Sequence, residues 1–283
     1  MTGPAAGAGE ARGGARAGVR VADALDSALV ALRAAGVDTP RLDAEVLLAH
    51  VLDVDRARLV IDRDMTVAGP AVRAFQDAIR RRARDREPVA YIVGRKGFRH
   101  IELEVDPRVL VPRPETELLV EAALELPDGA RVVDVGTGSG AVALAVKHER
   151  PDLRVTGTDV SPDALAVARS NGERLGLAVQ WREEDLFGGV FDAVLSNPPY
   201  VEEGASLPPE LAHEPGAALF AGPDGLEVVR RLVRRAAGAP TVAIEVGHGQ
   251  ADAVAALMRD AGFTTVAKRP DLAGIERVVI GRC

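Results

Sequence analysis

Apolar residues near the start of the chain recur at helical spacing. Val21, Leu25, Ala28, Leu29 and Leu32 share one helical face, and Gly36 follows as a C-terminal stop. Thr39-Pro40 reads as an N-cap followed by proline at the first helical position, opening a second helix through Leu42, Val46 and Leu47. A third helix carries Val72, Phe75 and Ile79 into Arg80, Arg81, Arg82, Arg84 and Arg86. Those arginines are expected to form a solvated face, with contact to RNA or a ribosome-associated partner as the alternative. The period then changes. Ile101, Leu103 and Val105 alternate with Glu102 and Glu104, the pattern of a half-buried strand, and Gly94 and Gly97 suggest a turn before it. A β-hairpin over residues 88–112 is therefore expected to link a helical bundle at 19–87 to the rest.

Beyond Ala130, short apolar runs alternate with helical segments. The strand candidates are Arg131–Val135, Arg154–Thr158, Ala178–Arg182, Phe191–Ser196, Thr241–Val246, Thr264–Ala267 and Arg277–Ile280. Helical spacing between them is clearest at Ala164, Leu165, Ala168 and Leu175. Alternation of this kind predicts an α/β fold, a mostly parallel sheet with helices on both faces, over 113–283.

Composition narrows the function. The chain has 283 residues, net charge −7, 47% hydrophobic residues and a single cysteine, Cys283. One cysteine excludes an internal disulfide and a cysteine-rich metal site, and it fits a reducing compartment, so a cytoplasmic location is expected. The acidic balance weighs against tracking long nucleic acid. No apolar run approaches the ~20 residues that span a bilayer, so no membrane partner is expected. Residues 1–18, mostly Gly and Ala with Arg12 and Arg16, read as a disordered leader. His50, His100, His148, His213 and His248 show no metal-ligand spacing, so no metal is expected.

The first strand candidate ends in Asp134-Val135-Gly136-Thr137-Gly138-Ser139-Gly140, with a helix after it. Glycines there let the backbone approach a ligand at the carboxyl end of a strand. Asp159 follows at the end of the next strand, where a carboxylate can accept hydrogen bonds from ribose hydroxyls. These features imply an adenosine-containing ligand. They leave open which one, because Gly136, Gly138 and Ala141 also satisfy the dinucleotide pattern of nicotinamide and flavin enzymes. Asp134 tips the balance. A carboxylate crowds a pyrophosphate but suits a cationic sulfonium, with a carboxylate bonded to backbone N–H groups as the structural alternative.

The fourth strand candidate ends in Asn197-Pro198-Pro199-Tyr200. Two prolines fix the backbone and offer no N–H, so their carbonyls stand out as rigid acceptors. An amide or aromatic amine is a poor nucleophile because its lone pair is delocalised. The Asn197 side chain and the Pro198 carbonyl can bind the two hydrogens of a planar –NH2 and aim its lone pair at a methyl donor. They also stabilise the positive charge that grows on nitrogen in the transition state. Tyr200 offers a flat face for stacking. The plain alternative is a turn, since Asn-Pro pairs favour turns.

On these residues the chain resembles the protein-(glutamine-N5) methyltransferases that modify peptide chain release factors, the HemK/PrmC family. The likeness runs from about Leu25 to Ile280. Its landmarks are Glu87–Gly94, Val109–Glu117, the glycine loop, Asn197–Tyr200, Glu214-Pro215, Asp224–Leu226 and Glu245–Gly247. The resemblance implies a class I, Rossmann-like methyltransferase with a seven-stranded sheet behind a helical substrate-binding domain. It implies that Gly136, Thr137, Gly138, Ser139, Gly140, Asp159, Asp185, Leu186 and Asn197 contact S-adenosylmethionine. It further implies that Asn197, Pro198, Pro199 and Tyr200 hold the glutamine of a Gly-Gly-Gln motif in class 1 release factors. Arg113 joins the substrate-binding candidates, a structural ion pair being its alternative, and Glu245 reads as scaffold. Rival readings are methylation of an exocyclic amine in nucleic acid, of a ribosomal-protein glutamine, a nicotinamide enzyme, and a non-catalytic binding module. A direct nucleic-acid substrate is not expected, because the N-terminal segment lacks interleaved basic and aromatic residues and aromatic residues are only 3% of the chain.

Overall fold

The computed structural model describes residues 18–283. The leader expected at residues 1–18 lies, except for Gly18, outside the described residues. The described chain divides into two compact units, one ending at Val93 and one running from Gly94 to Cys283.

The first unit is helical, with strands β1 (Val19–Arg20) and β2 (Thr66–Val67) and helices α1 (Val21–Ala34), α2 (Pro40–Leu52), α3 (Arg56–Ile61), α4 (Gly69–Arg84) and α5 (Val89–Val93). Its core gathers Leu32, Leu47, Leu48, Leu59, Val67 and Phe75, all buried. Helix α1 stops where periodicity placed its end, with Gly36 at φ +67° and the Val37 N–H returning to the Leu32 carbonyl. Three details differ from expectation. Thr39 precedes α2, but its hydroxyl donates to Asp43 Oδ1 at 2.7 Å instead of accepting a backbone N–H. The arginine run at the end of α4 is not a uniformly solvated face. Arg82 is buried against Asp43 at 2.6 Å, while Arg80 pairs with Asp77 and Arg81 with Glu87. Helices α3 and α5 and the β1–β2 pairing were missed, being too short to show a period.

The second unit opens with an antiparallel hairpin of β3 (Arg95–Phe98) and β4 (Ile101–Glu104). Phe98, Ile101 and Leu103 point inward, as the alternation required. Its turn falls on Arg99-His100, not at Gly94 and Gly97, and Arg99 takes φ +48°. The guanidinium of Arg99 is pinned to Glu149 and its N–H to Glu117, which holds a non-glycine residue in the left-handed region.

Helix α6 (Glu117–Leu124) follows a 3-10 turn at Pro114–Thr116. Then come β5 (Arg131–Val135), α7 (Ala141–Glu149), β6 (Arg154–Asp159), α8 (Pro162–Leu175), β7 (Gln180–Glu183), β8 (Ala193–Ser196), α9 (Glu227–Arg235), β9 (Thr241–Glu245), α10 (Ala251–Asp260), β10 (Thr265–Pro270) and β11 (Glu276–Arg282). They build the seven-stranded sheet in the order β10-β11-β9-β8-β5-β6-β7. Six strands run in one direction, and β11 is antiparallel to both of its neighbours. That inserted antiparallel strand departs from the all-parallel dinucleotide sheet. The chain winds outward from β5 in one direction through β6 and β7, then returns to β8 on its other side. The reversal opens a crevice at the carboxyl ends of β5 and β8, the place where open α/β sheets bind ligands.

Candidate active site

A cleft of about 300 Å³ lies at that crevice. Gly136, Gly138, Asp159, Asp185, Leu186, Asn197, Pro198 and Pro199 line it, so two motifs far apart in sequence share one wall. Strand pairing brings them together, since Val135 lies opposite Ser196 in the β5–β8 register. The Ser196 hydroxyl, fully buried, donates to the Val135 carbonyl at 2.7 Å and ties the two strand ends together.

The glycines of the loop do different work. Gly136 (φ +70°) and Gly138 (φ +55°) sit in the left-handed region, and a Cβ on either would meet no protein atom within 4 Å. The space beside them is open cleft, a cradle that a side chain would fill. At Gly140 a Cβ would strike Leu144 at 2.9 Å and Trp181 at 3.1 Å, so this glycine answers to internal packing. Gly140 is not on the cleft wall, and neither are Thr137 and Ser139, which are buried.

Asp134 lies beneath the glycine loop, in the arrangement named as its structural alternative. It is 2% exposed and off the cleft wall. Its Oδ2 accepts the Thr137 hydroxyl at 2.6 Å and the Ala143 N–H at 3.2 Å. Burial, opposed by those two bonds, pushes its pKa up to about 6. Asp134 thus supports the loop from below and occupies a free N–H at the start of α7. A pyrophosphate site needs such N–H groups presented to the ligand, so the arrangement still disfavours a dinucleotide, for a different reason than the one expected.

Asp159 stands at the end of β6. One oxygen accepts the Gly138 N–H at 3.0 Å and the other the Ser161 N–H at 2.9 Å. Each carboxylate oxygen retains a lone pair for a further donor. Leu186 takes φ +67° and its carbonyl accepts the Thr158 hydroxyl at 2.6 Å, which fixes the turn carrying Asp185 and Leu186. The charged groups on the wall are Asp159, Glu184, Asp185, Arg108 and Arg231. Arg231 pairs with Asp185, and Arg108 with Asp106. Both cations are therefore neutralised locally, which leaves an acidic wall suited to a sulfonium and poorly suited to phosphates.

The Asn197–Tyr200 turn carries no cis peptide bond. The Asn197 Nδ2 donates to the Thr116 hydroxyl at 3.1 Å, and among the described residues no backbone donor occupies the Pro198 carbonyl. Tyr200 lies off the cleft wall. Its carbonyl accepts from Gln250 Nε2 at 3.0 Å, and burial pushes its hydroxyl pKa up to about 12. Arg113 is likewise off the wall, with Nη2 on Glu214 Oε1 at 2.5 Å. The buried Glu214 also accepts the Val111 N–H at 3.1 Å, so it joins two landmark segments that showed no mutual relation in sequence.

Asn171 on α8 gave no sequence signal at all. Fully buried, it accepts the Glu104 N–H at 2.7 Å and donates to the carbonyls of Glu104 and Ser139 at 3.0 Å each. It joins the hairpin to the glycine loop. Only its place on the buried face of a helix could have drawn notice, as a polar residue where an apolar one is usual.

Sheet order, cleft position and the two loops together define a class I, Rossmann-like methyltransferase domain. Comparison with known proteins agrees. Residues 23–94 match the family described as PrmC N-terminal domain and residues 114–221 the family described as methyltransferase small domain. The chain is 43% identical over 276 residues to a release factor glutamine methyltransferase of Xylella fastidiosa, covering 92% of this chain and 99% of that protein. It is also 43% identical over 274 residues to the one of Mycolicibacterium smegmatis, covering 92% and 96%. Among solved structures, the hMettl16 catalytic domain in complex with MAT2A 3′UTR hairpin 6 shares the fold at a TM-score of 0.52 and 13% identity, over 77% of this chain and 84% of that one. The chain belongs to the release factor glutamine methyltransferase family.

Proposed function

We propose that this chain transfers a methyl group from S-adenosylmethionine to the side-chain amide nitrogen of the glutamine in the Gly-Gly-Gln motif of class 1 release factors. The observation that carries the reading is the Asn197–Pro199 turn on the same cleft wall as Gly136, Gly138 and Asp159. The open cradle beside Gly136 and Gly138, the spare lone pairs of Asp159 and the acidic wall fit a nucleoside carrying a sulfonium. S-adenosylmethionine supplies, when bound, a methyl on a positively charged sulfur with a neutral leaving group.

The chain's own residues do the rest. Asp159 accepts from ribose hydroxyls, and the Asp185-Leu186 turn borders the adenine. The Asn197 Oδ1 and the Pro198 carbonyl accept the two hydrogens of the glutamine amide. This fixes the amide plane and points the nitrogen lone pair, which lies perpendicular to that plane, toward the methyl carbon. As the N–C bond forms and the S–C bond breaks, positive charge grows on nitrogen and both acceptors bind it more strongly than in the ground state. A proton then leaves nitrogen for solvent. The helical segment 19–87 grips the release factor, joined to the catalytic domain by the segment 88–112, and the work is done in the cytoplasm, where release factors act.

The test is methyl transfer from labelled S-adenosylmethionine, offered separately to release factor, its Gln→Ala variant, ribosomal protein, duplex DNA and RNA. Label on the release factor alone, absent from the Gln→Ala variant, is expected. Asn197→Ala is expected to fold normally and lose at least the ~10²–10³-fold typical of one transition-state hydrogen bond. Label on nucleic acid alone, or near-normal turnover by Asn197→Ala, would overturn the reading.

A further inference from the structure

The hairpin of β10 and β11 closes in a loop from Pro270 to Ile275 that the mechanism above does not use. Asp271 builds it. Its Oδ1 accepts the Ala273 N–H at 2.8 Å and the Ile275 N–H at 3.0 Å, and its Oδ2 accepts the Arg277 Nε–H at 3.0 Å. The Asp271 backbone is bonded as well, its N–H to the Ile275 carbonyl at 2.8 Å and its carbonyl to the Gly274 N–H at 2.9 Å. The loop's one charged side chain is therefore turned inward, with 12% of it exposed. What the tip shows outward is Leu272, fully exposed, with Ala273 exposed beside it. An apolar side chain scattered on a surface is ordinary. One fixed at the tip of a loop that is hydrogen-bonded from within is held ready for contact, because little ordering entropy remains to be lost on binding.

The tip stands on the catalytic edge of the sheet. Strand β11 is antiparallel, so its first residues lie at the carboxyl end of β9, where Val278 pairs with Glu245. The Arg277 carbonyl accepts the Val246 N–H at 2.8 Å. The next residue, Gly247, donates its N–H to Gln250 Oε1 at 2.9 Å, and Gln250 Nε2 holds the Tyr200 carbonyl at 3.0 Å. Arg277 and the segment from Val246 to Gln250 thus connect the loop to the end of the amide-binding turn. Neighbouring strands lie about 4.8 Å apart, which puts β10 roughly 14 Å from β8, the strand that leads into Asn197. A protein interface of standard size covers about 800 Å² of each partner, a disc reaching roughly 16 Å from its centre. A folded protein that seats a glutamine at Asn197 therefore covers the hairpin tip as well. We propose that the β10–β11 tip is a docking contact for the release factor, with Leu272 packing on an apolar patch of the domain that carries its Gly-Gly-Gln loop. This rests on the substrate reading given above. The contact is remote from the reacting atoms, so it holds the protein substrate equally in the ground and transition states.

The test compares Leu272→Asp with Val190→Asp in the transfer assay, with intact release factor as the varied substrate. Val190 is the control, since it is 72% exposed but lies before β8, at the opposite edge of the sheet. Leu272→Asp is expected to raise KM for release factor roughly 10-fold or more, as when a covered leucine is replaced by a charge. Its kcat, its S-adenosylmethionine affinity by calorimetry and its melting temperature should stay at wild-type values, the pattern of lost uniform binding. Val190→Asp should change none of these. A benzophenone side chain put in place of Leu272 should photo-crosslink to release factor, and one in place of Val190 should not. An unaltered KM in Leu272→Asp, an equal effect of Val190→Asp, a loss confined to kcat, or no crosslink from the tip overturns the proposal. The wild-type protein separates the two levels. If it labels release factor while Leu272→Asp keeps a normal KM, only the docking contact fails. If it does not label release factor at all, the substrate reading fails with it.

Discussion

Asn171 offers a test of how the site is held, because three of its four hydrogen bonds join the hairpin to the glycine loop, the fourth being accepted from Arg174 Nη2 at 3.1 Å. Asn171→Ala strands the Ser139 carbonyl in a buried place, which costs about 1–3 kcal/mol. It also removes the partners of the Glu104 N–H and carbonyl, which lie nearer solvent, at roughly 0.5–1.5 kcal/mol each. The sum is about 4 kcal/mol. Asn171→Asp is the sharper perturbation. It keeps the acceptor for the Glu104 N–H but sets a carboxylate against two carbonyl oxygens it can no longer satisfy. Although it is nearly isosteric, and Arg174 can pair with the new carboxylate, its clash with two buried carbonyls should make it cost about as much as alanine at neutral pH. A view based on packing volume alone ranks the two variants the other way. The assay is urea unfolding followed by the fluorescence of Trp181, the only tryptophan in the chain. Its ring lies against Gly140, Gly157 and Gly172, within the same part of the fold, and so reports on it directly. An Asn171→Asp variant within about 0.5 kcal/mol of wild type, or clearly more stable than Asn171→Ala, refutes the reasoning; that margin is the usual range for substitutions away from special features.

Two further outcomes are expected. Gly225 takes φ +68°, and a Cβ there would stand 2.2 Å from the Tyr200 carbonyl, so Gly225→Ala must displace the end of the Asn197–Tyr200 turn; kcat should fall while S-adenosylmethionine affinity, measured by calorimetry, is kept. Burial pushes Asp134 up to about 6 and Glu245 up to about 7, so between pH 5 and 7.5 the folded chain holds protons that the unfolded chain has released. Stability is fully present below the unfolded values and is lost as pH rises through the folded ones, by about 3 kcal/mol for one such group. The carboxylates that arginines hold low, such as Glu149 and Asp192, have finished titrating below this window. Unfolding free energy that rises across pH 5–7.5, or a slope unaltered by Glu245→Gln, counts against the shifts.

What could be read in the sequence was whatever has a local period or a fixed spacing. Each of the seven strands lies within or overlaps its sequence candidate; the central ones show up as apolar runs because they are buried and parallel, and the edge ones through their spacing from the helices. Gly136, Gly138, Asp159 and the Asn197–Pro199 turn could be placed at strand ends for the same reason, and the parallel register then delivers them to one cleft. The supporting residues had no such signal. Thr116 meets Asn197 across 81 residues, Arg113 meets Glu214 across 101, and Asn171 meets Glu104 across 67. A hydrogen bond over that separation leaves no trace in periodicity. The turn at Arg99-His100 was hidden differently. Its left-handed residue is held by Glu149 and Glu117, so the glycines nearby misdirected the reading.

The three carboxylates Asp134, Asp159 and Glu245 end strands of one sheet, yet their surroundings give them separate work. Asp134 is spent on Thr137 and the first turn of α7, where it takes up the Ala143 N–H and steadies the loop above. Asp159 keeps lone pairs directed into the cleft. Glu245 is buried at the end of β9, off the cleft wall, and burial pushes its carboxyl up to about 7. The choice between dinucleotide and sulfonium ligand therefore does not reside in the glycine pattern, which both classes satisfy. It resides in the charge set around the loop, with Asp134 beneath it and Asp159 on the cleft wall. Moving the Asp134 carboxylate out from under the loop would free the Ala143 N–H and remove negative charge beside the glycines, a shift toward the electrostatics of a phosphate site.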